Sequence, residues 1–212
     1  MIRVVPQPEP DDFDRLVRAP GQRALANGQS PLPAYWRRCL PDLLAGYGRI
    51  CAYTCLYIER VTGAWTVDHY QPKALADVGV EDDGRSEELV RRSADPALVY
   101  EWGNYRLACS LMNSRKGACR DVLDPFEVQK GWFGLDLVSF APYPCADLGP
   151  ACRDAVAATI RRLGLDDEEC CRARREYAEA YLDGSVSFEY LRRKCPFVAI
   201  EMERQGWRRT DD

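Results

Sequence analysis

"TVDHYQPKA", residues 66–74, holds His69, the only histidine in a chain of 212 residues, and sets it directly after Asp68. The stretch closes a longer run, "ICAYTCLYIERVTGAWTVDHY" (50–70), rich in β-branched and aromatic side chains. That composition suits extended chain on a half-buried surface. Thr62-Gly63 reads as a turn between two extended halves, so His69 falls at the end of the second one. A lone imidazole is more often an ordinary core or surface histidine than a working one. Its meaning depends on what the rest of the chain brings to it.

Downstream, "YEWGNYRLACSLMNSRKGACRD" (100–121) supplies the partners. Tyr105–Cys109 reads as a short strand, and Leu111–Cys119 as a short helix closing near Gly117. Asp68-His69 would then end one strand, Asn104 would start the returning strand, and Asn113 would sit in the first turns of the helix. The expected unit is a hairpin capped by a helix, with polar groups converging on one point.

The flanks read as support. Residues 1–47 form an N-terminal cap, with an extended start (Ile2 to Pro8) leading into short helices. "PAYWRRCLPDLLAGYG" (33–48) spaces Tyr35, Trp36, Cys39, Leu40, Leu43 and Leu44 helically, a core-packing stripe that Gly46 and Gly48 end. The polar stretch 76–98 reads as a surface loop, and its Glu81, Asp82 and Asp83 as a solvated face. After Asp124-Pro125 the chain reads as helical to its end, over about 151–163, 167–182, 187–194 and 196–205. Arg161, Arg162, Arg172, Arg174 and Arg175 fall on these helices, where such charges normally belong to exposed faces.

The composition, 46% hydrophobic and 29% charged, is that of a globular chain and argues against disorder. A net charge of −4 argues against a protein that grips nucleic acid over its whole surface. No apolar run approaches the roughly 20 residues that span a bilayer, and the N-terminus lacks the order of a signal peptide. The expected location is therefore cytoplasmic, with no membrane partner. Ten cysteines in such a chain read as reduced thiols, with room for a metal site among them.

Three segments carry a resemblance. "VDHYQPK" (67–73), "YEWGNYRLACSLMNSRKG" (100–117) and "DVLDPF" (121–126) resemble the ββα-metal core of the HNH nucleases, with Asn104 and Asn113 nine positions apart. The tail segments "KGWFGLD" and "CPFVAIEMERQG" look like the C-terminal part of a bacterial HNH endonuclease family. Some members of that family are encoded beside ATPases in Septu-type antiphage systems. The resemblance implies an α+β fold, mainly α overall. An HNH ββα-metal nuclease core (48–127) would lie between the N-terminal helical cap (1–47) and a C-terminal helical extension (128–212), in one compact unit.

It also implies an activity: metal-dependent hydrolysis of phosphodiester bonds, as the nuclease effector of an antiviral defence system with an ATPase partner. DNA is the expected substrate, and no sequence feature separates it from RNA. Such hydrolysis needs a base to activate water and a cation to neutralise charge developing on phosphate oxygens. By this likeness His69 is the base, and Asn104 holds the His69 loop. Asp68 and Asn113 offer oxygens to Mg²⁺ or Mn²⁺, which such ligands suit better than zinc. Lys73, Arg115 and Lys116 would contact phosphates. No phosphate-binding Gly-x-x-x-x-Gly-Lys-Ser/Thr loop occurs, so any ATP step belongs to a partner. A homodimer stays open.

Many HNH relatives brace the hairpin with zinc on two Cys-x-x-Cys pairs. Here Cys51 and Cys55 are spaced Cys-x-x-x-Cys, and Met112 stands where a fourth cysteine would follow Cys109. A thioether is a poor zinc ligand. A structural zinc on Cys51, Cys55 and Cys109 would need another ligand, such as Cys119, and packing of reduced thiols is the expectation. Two other functions stand beside the DNA nuclease: a non-catalytic nucleic-acid-binding or scaffolding subunit that keeps the fold, and a toxin that cuts RNA or tRNA.

Overall fold

The computed structural model describes residues 1–59, 61, 64–73 and 95–210. Among them the fold is α+β and mainly helical, with seven α-helices and two small two-stranded sheets. The expected turn at Thr62-Gly63 and the acidic cluster at 81–83 lie outside the described residues.

The first sheet joins β1 (Trp65–His69) to β2 (Tyr105–Cys109) in antiparallel register, with Asp68 opposite Arg106 and His69 opposite Tyr105. β2 is covered on both faces, since its first four residues are all buried. Chain from the N-terminal cap packs on the pair. Helix α3 (Ser110–Lys116) leaves β2 without a linker, and Gly117, at φ +50°, ends it. Seven residues are too few for a helix to persist on propensity alone. α3 is held by burying Met112 and Lys116, both 0% exposed.

The N-terminal cap contains a π-helical turn (Asp14–Arg18) running into α1 (Ala19–Ala26). A 3₁₀ turn (Tyr35–Cys39) then runs into α2 (Leu40–Gly46). Phe13 meets Trp102 and Tyr105 edge-on, with ring centroids 5.6 and 5.9 Å apart. Gly21 is required where α1 meets the Tyr100 ring, because a Cβ there would fall 2.1 Å from Tyr100 Cγ.

Two sequence expectations are corrected. The first half of the 50–70 run is not a strand: it makes a single bridge, Ile50 to Tyr57, around a turn in which Cys55 takes φ +57°. The strand carrying His69 pairs with β2 instead. The chain after Pro125 is also not helical throughout. Before the C-terminal helices it forms β3 (Phe133–Leu135) and β4 (Pro142–Pro144). Strands of three residues, one beginning and ending in proline, show no period that sequence can reveal.

Helices α4 (Pro150–Leu163), α5 (Glu168–Leu182), α6 (Phe188–Lys194) and α7 (Pro196–Arg204) complete the fold. No described helix is long and apolar enough to cross a membrane. Arg174 on α5 departs from the exposed-face reading: it is 0% exposed and donates to the Phe140 and Leu165 carbonyls.

Candidate active site

Asp68 and His69 are consecutive in β1, so their side chains leave the strand in opposite directions. His69 turns toward the N-terminal cap. Its ring sits edge-on to Trp36 and Tyr105, with centroids 4.9 and 5.1 Å away, and it is 5% exposed. Its Nε2 lies 3.0 Å from the Val99 carbonyl, which also accepts from the Tyr105 hydroxyl at 2.9 Å. A carbonyl only accepts, so Nε2 carries the proton and Nδ1 keeps its lone pair. Burial pushes the imidazole pKa down to about 3, with the charges of Lys73 and Lys116 adding to the shift. The ring is therefore neutral at pH 7.

Asp68 turns the other way, into a buried network. Its Oδ2 accepts from the Tyr53 hydroxyl at 2.5 Å, and its Oδ1 from Lys116 Nζ at 3.1 Å. Lys116 also donates to the His69 carbonyl at 2.8 Å, so one ammonium ties both residues to α3. Asp68 is 1% exposed. A carboxyl group this deeply buried needs a partner and hydrogen bonds, and this one has both.

Asn104 closes the chain just beyond β1. Its Oδ1 accepts from the Gln71 N–H at 2.7 Å, and its Nδ2 donates to the Gln71 and Leu98 carbonyls, both at 3.0 Å. The two bonds to Gln71 extend the hairpin by a side-chain rung. Arg106, opposite Asp68, grips Asp124 through two bonds of 2.8 and 2.5 Å and lies 3.4 Å above the Phe126 ring. It thereby anchors the segment that follows α3.

A cleft of about 290 Å³ opens at this end of the hairpin. Asp68, His69, Lys73 and Asn113 line it, together with Gly117 and Ala118. Lys73 stands with its Nζ 4.1 Å over the Trp36 ring. Burial lowers its pKa, and the charge of Arg37 lowers it further.

Two assignments are corrected here. Lys116 is 0% exposed and committed to Asp68 and His69, so it is not a surface contact for phosphates. Arg115 caps the end of α4 through the Leu163 and Gly164 carbonyls, at 2.9 and 3.1 Å, and pairs with Asp167 at 2.5 Å. Its fork belongs to the fold. Of the three expected phosphate contacts, Lys73 alone lines the cleft.

The proposed zinc trio does not assemble. Among the described residues no three His, Cys, Asp or Glu side chains gather as a metal cluster. Cys51 Sγ lies 3.9 Å from Cys109 Sγ, whereas Cys55 Sγ accepts from the Ile2 N–H at 3.4 Å. Burial disfavours the Cys51 thiolate, but hydrogen bonds from Cys109 and Thr54 outweigh it and draw the thiol down, while the same contact draws Cys109 up.

Tyr53, Trp36 and Tyr105 escaped the sequence reading as site residues. Tyr53 lies in an aromatic-rich run that reads as generic core, and nothing in its spacing points to Asp68. Comparison with protein-family models, curated proteins and solved structures finds no significant match for the chain.

Asp68 and Asn113 are the oxygen-bearing side chains on the cleft that could hold a hard divalent ion. Asp68 uses two of the roughly four lone-pair positions a carboxylate offers, and Asn113 adds an amide on the same cleft. The Lys116 ammonium offsets the Asp68 charge, so a phosphate would have to supply much of the remaining negative charge for such an ion.

Proposed function

We propose that this chain is a metal-dependent endonuclease of the HNH kind, with β1, β2 and α3 as its ββα-metal core and DNA phosphodiesters as its substrate. One observation carries the reading: Asp68, His69 and Asn113 line one cleft, and the only imidazole is held neutral with its Nδ1 lone pair unclaimed among the described residues. His69 Nδ1 accepts the proton of the attacking water. The Val99 carbonyl fixes the tautomer, and Asn104 holds the loop that follows the strand. Asp68 and Asn113 would hold Mg²⁺ or Mn²⁺, which when bound offsets the charge developing on the phosphate. An imidazole with a pKa of about 3 is a weak base. A phosphodiester beside Lys73 brings negative charge, which raises that basicity when substrate is in place.

With Arg115 and Lys116 committed to the fold and the net charge at −4, non-specific affinity for DNA is weak. The reading therefore includes a recruiting protein partner, an ATPase by the family resemblance. A single assay tests it: plasmid DNA and an RNA of matched length, with Mg²⁺, Mn²⁺ or EDTA, cut by wild type and by His69→Ala, alone and with the product of the adjacent gene. Metal-dependent DNA cutting lost in the variant is expected, and equal cutting by both proteins would sink the reading.

The non-catalytic subunit is favoured by one observation, that both Asp68 oxygens already have protein partners. It predicts no Mn²⁺ binding to the cleft even with DNA present.

A further inference from the structure

We propose that Cys51 and Cys109 are a redox-active pair, a dithiol that closes reversibly to a disulfide under peroxide. Their sulfurs lie 3.9 Å apart across two segments 58 residues apart in sequence. The segments run side by side: the Ala52 N–H donates to the Leu107 carbonyl at 2.9 Å, and the Cys109 N–H to Cys51 Sγ at 3.5 Å. Closing to a bond of about 2.05 Å asks each sulfur to move about 1 Å, within reach of side-chain rotation. Cys51 is 1% exposed and Cys109 is partly exposed, so an oxidant approaches the pair from the Cys109 side. All ten cysteines are free.

The chemistry balances with hydrogen peroxide as oxidant. One thiol attacks the peroxide and becomes a sulfenic acid, releasing a water. The second sulfur then attacks that sulfenic sulfur, the S–S bond forms, and a second water leaves. Two thiols lose two protons and two electrons, and the peroxide is reduced to two waters. A dithiol such as dithiothreitol reverses the step by exchange.

The pair sits where it matters to the cleft. Cys51 opens the turn that carries Tyr53, whose hydroxyl holds Asp68. Cys109 is the N-cap of α3, which carries Asn113 and Lys116. Oxidation therefore ties the Asp68 clamp to the foot of the cleft helix. The proposal stands whether or not the cleft is a nuclease site, because its test reads bonds rather than activity.

The experiment exposes the reduced full chain to stoichiometric hydrogen peroxide. It is then quenched in acid, denatured, alkylated, and mapped by mass spectrometry without reductant. The expected product is a peptide linking Cys51 to Cys109, about 2 Da lighter than the sum of the reduced peptides. It forms ahead of any other link, is reversed by dithiothreitol, and is absent from Cys109→Ser. If that variant does not fold, the wild-type map decides. Recovery of both cysteines fully alkylated, or their capture first in other links, while circular dichroism shows the native fold, overturns the proposal.

Discussion

β1–β2 and β3–β4 are both two-stranded antiparallel ribbons with a helix against them, yet they enclose different chemistry. The first buries Asp68, His69, Asn104, Arg106 and Lys116. The second is closed by Phe133, Leu135 and the contact of Gly134 with the Tyr143 ring, where a Cβ would come within 2.5 Å. Its polar ties are Glu201 of α7, which accepts from the Leu135 N–H at 3.1 Å and pairs with Arg204 at 2.7 Å, and Gln205, which donates to the Leu135 carbonyl at 2.8 Å. Apolar contacts, one paired carboxylate and one amide hold the second ribbon. Burying two ion pairs and an imidazole beneath the other costs desolvation that the fold does not require. Such a concentration of costly groups supports the functional reading proposed for the cleft.

The largest expected effect comes from breaking the first ribbon's network. Lys116→Met leaves the Asp68 carboxylate buried without its cation and should destabilise the fold by about 3–5 kcal/mol. Adding Asp68→Asn should recover part of that loss, whereas Glu201→Gln in the second ribbon should cost about 1 kcal/mol. Urea unfolding of the four proteins tests the ranking, and equal losses at the two ribbons would dissolve the contrast.

Asn104→Ala removes three hydrogen bonds and should cost about 2–3 kcal/mol. Hydrogen exchange at the Gln71 amide reads the same change locally, because that amide loses its acceptor.

His69 gives the first ribbon a pH dependence. Its folded pKa, about 3, lies below the ordinary value near 6.5, so the unfolded chain binds more protons between those limits. The stability it contributes is complete above pH 6.5 and falls as pH drops toward 3, by about 1.4 kcal/mol per pH unit. Thermal melts at pH 7 and pH 5 should show a drop of about 2 kcal/mol in wild type that His69→Gln lacks. The smallest effect belongs to the second ribbon. Gly134→Ala should cost under about 1 kcal/mol, because Tyr143 is 39% exposed and its ring can swing aside.

The same contrast explains what sequence could and could not reveal. The strand Tyr105–Cys109, the end of α3 at Gly117 and the four C-terminal helices were legible, because each has a strong period or a breaker at its end. β3–β4 was not, since prolines and a glycine fill strands too short to alternate. Polar residue types at fixed spacing singled out Asp68, His69 and Asn113, which line the cleft, and Asn104, which ties the Gln71 backbone. The direction in which a long side chain turns has no such signature. Arg115 and Lys116 read as surface cations and are internal ties. Tyr53 could not be singled out, because its partner Asp68 is reached across a turn whose φ +57° at Cys55 has no glycine to announce it.

The most direct test of the central claim, that His69 is the base of a phosphodiester hydrolase, is chemical rescue under single-turnover conditions. Wild type and His69→Ala would cleave a short DNA duplex with Mn²⁺, with the recruiting partner present and with imidazole titrated in. The account predicts that the variant loses about 10²–10⁴-fold in rate, that imidazole restores part of it, and that EDTA abolishes cutting by both. A variant that cuts as fast as wild type, or a wild type inert under every metal and partner condition, would contradict it.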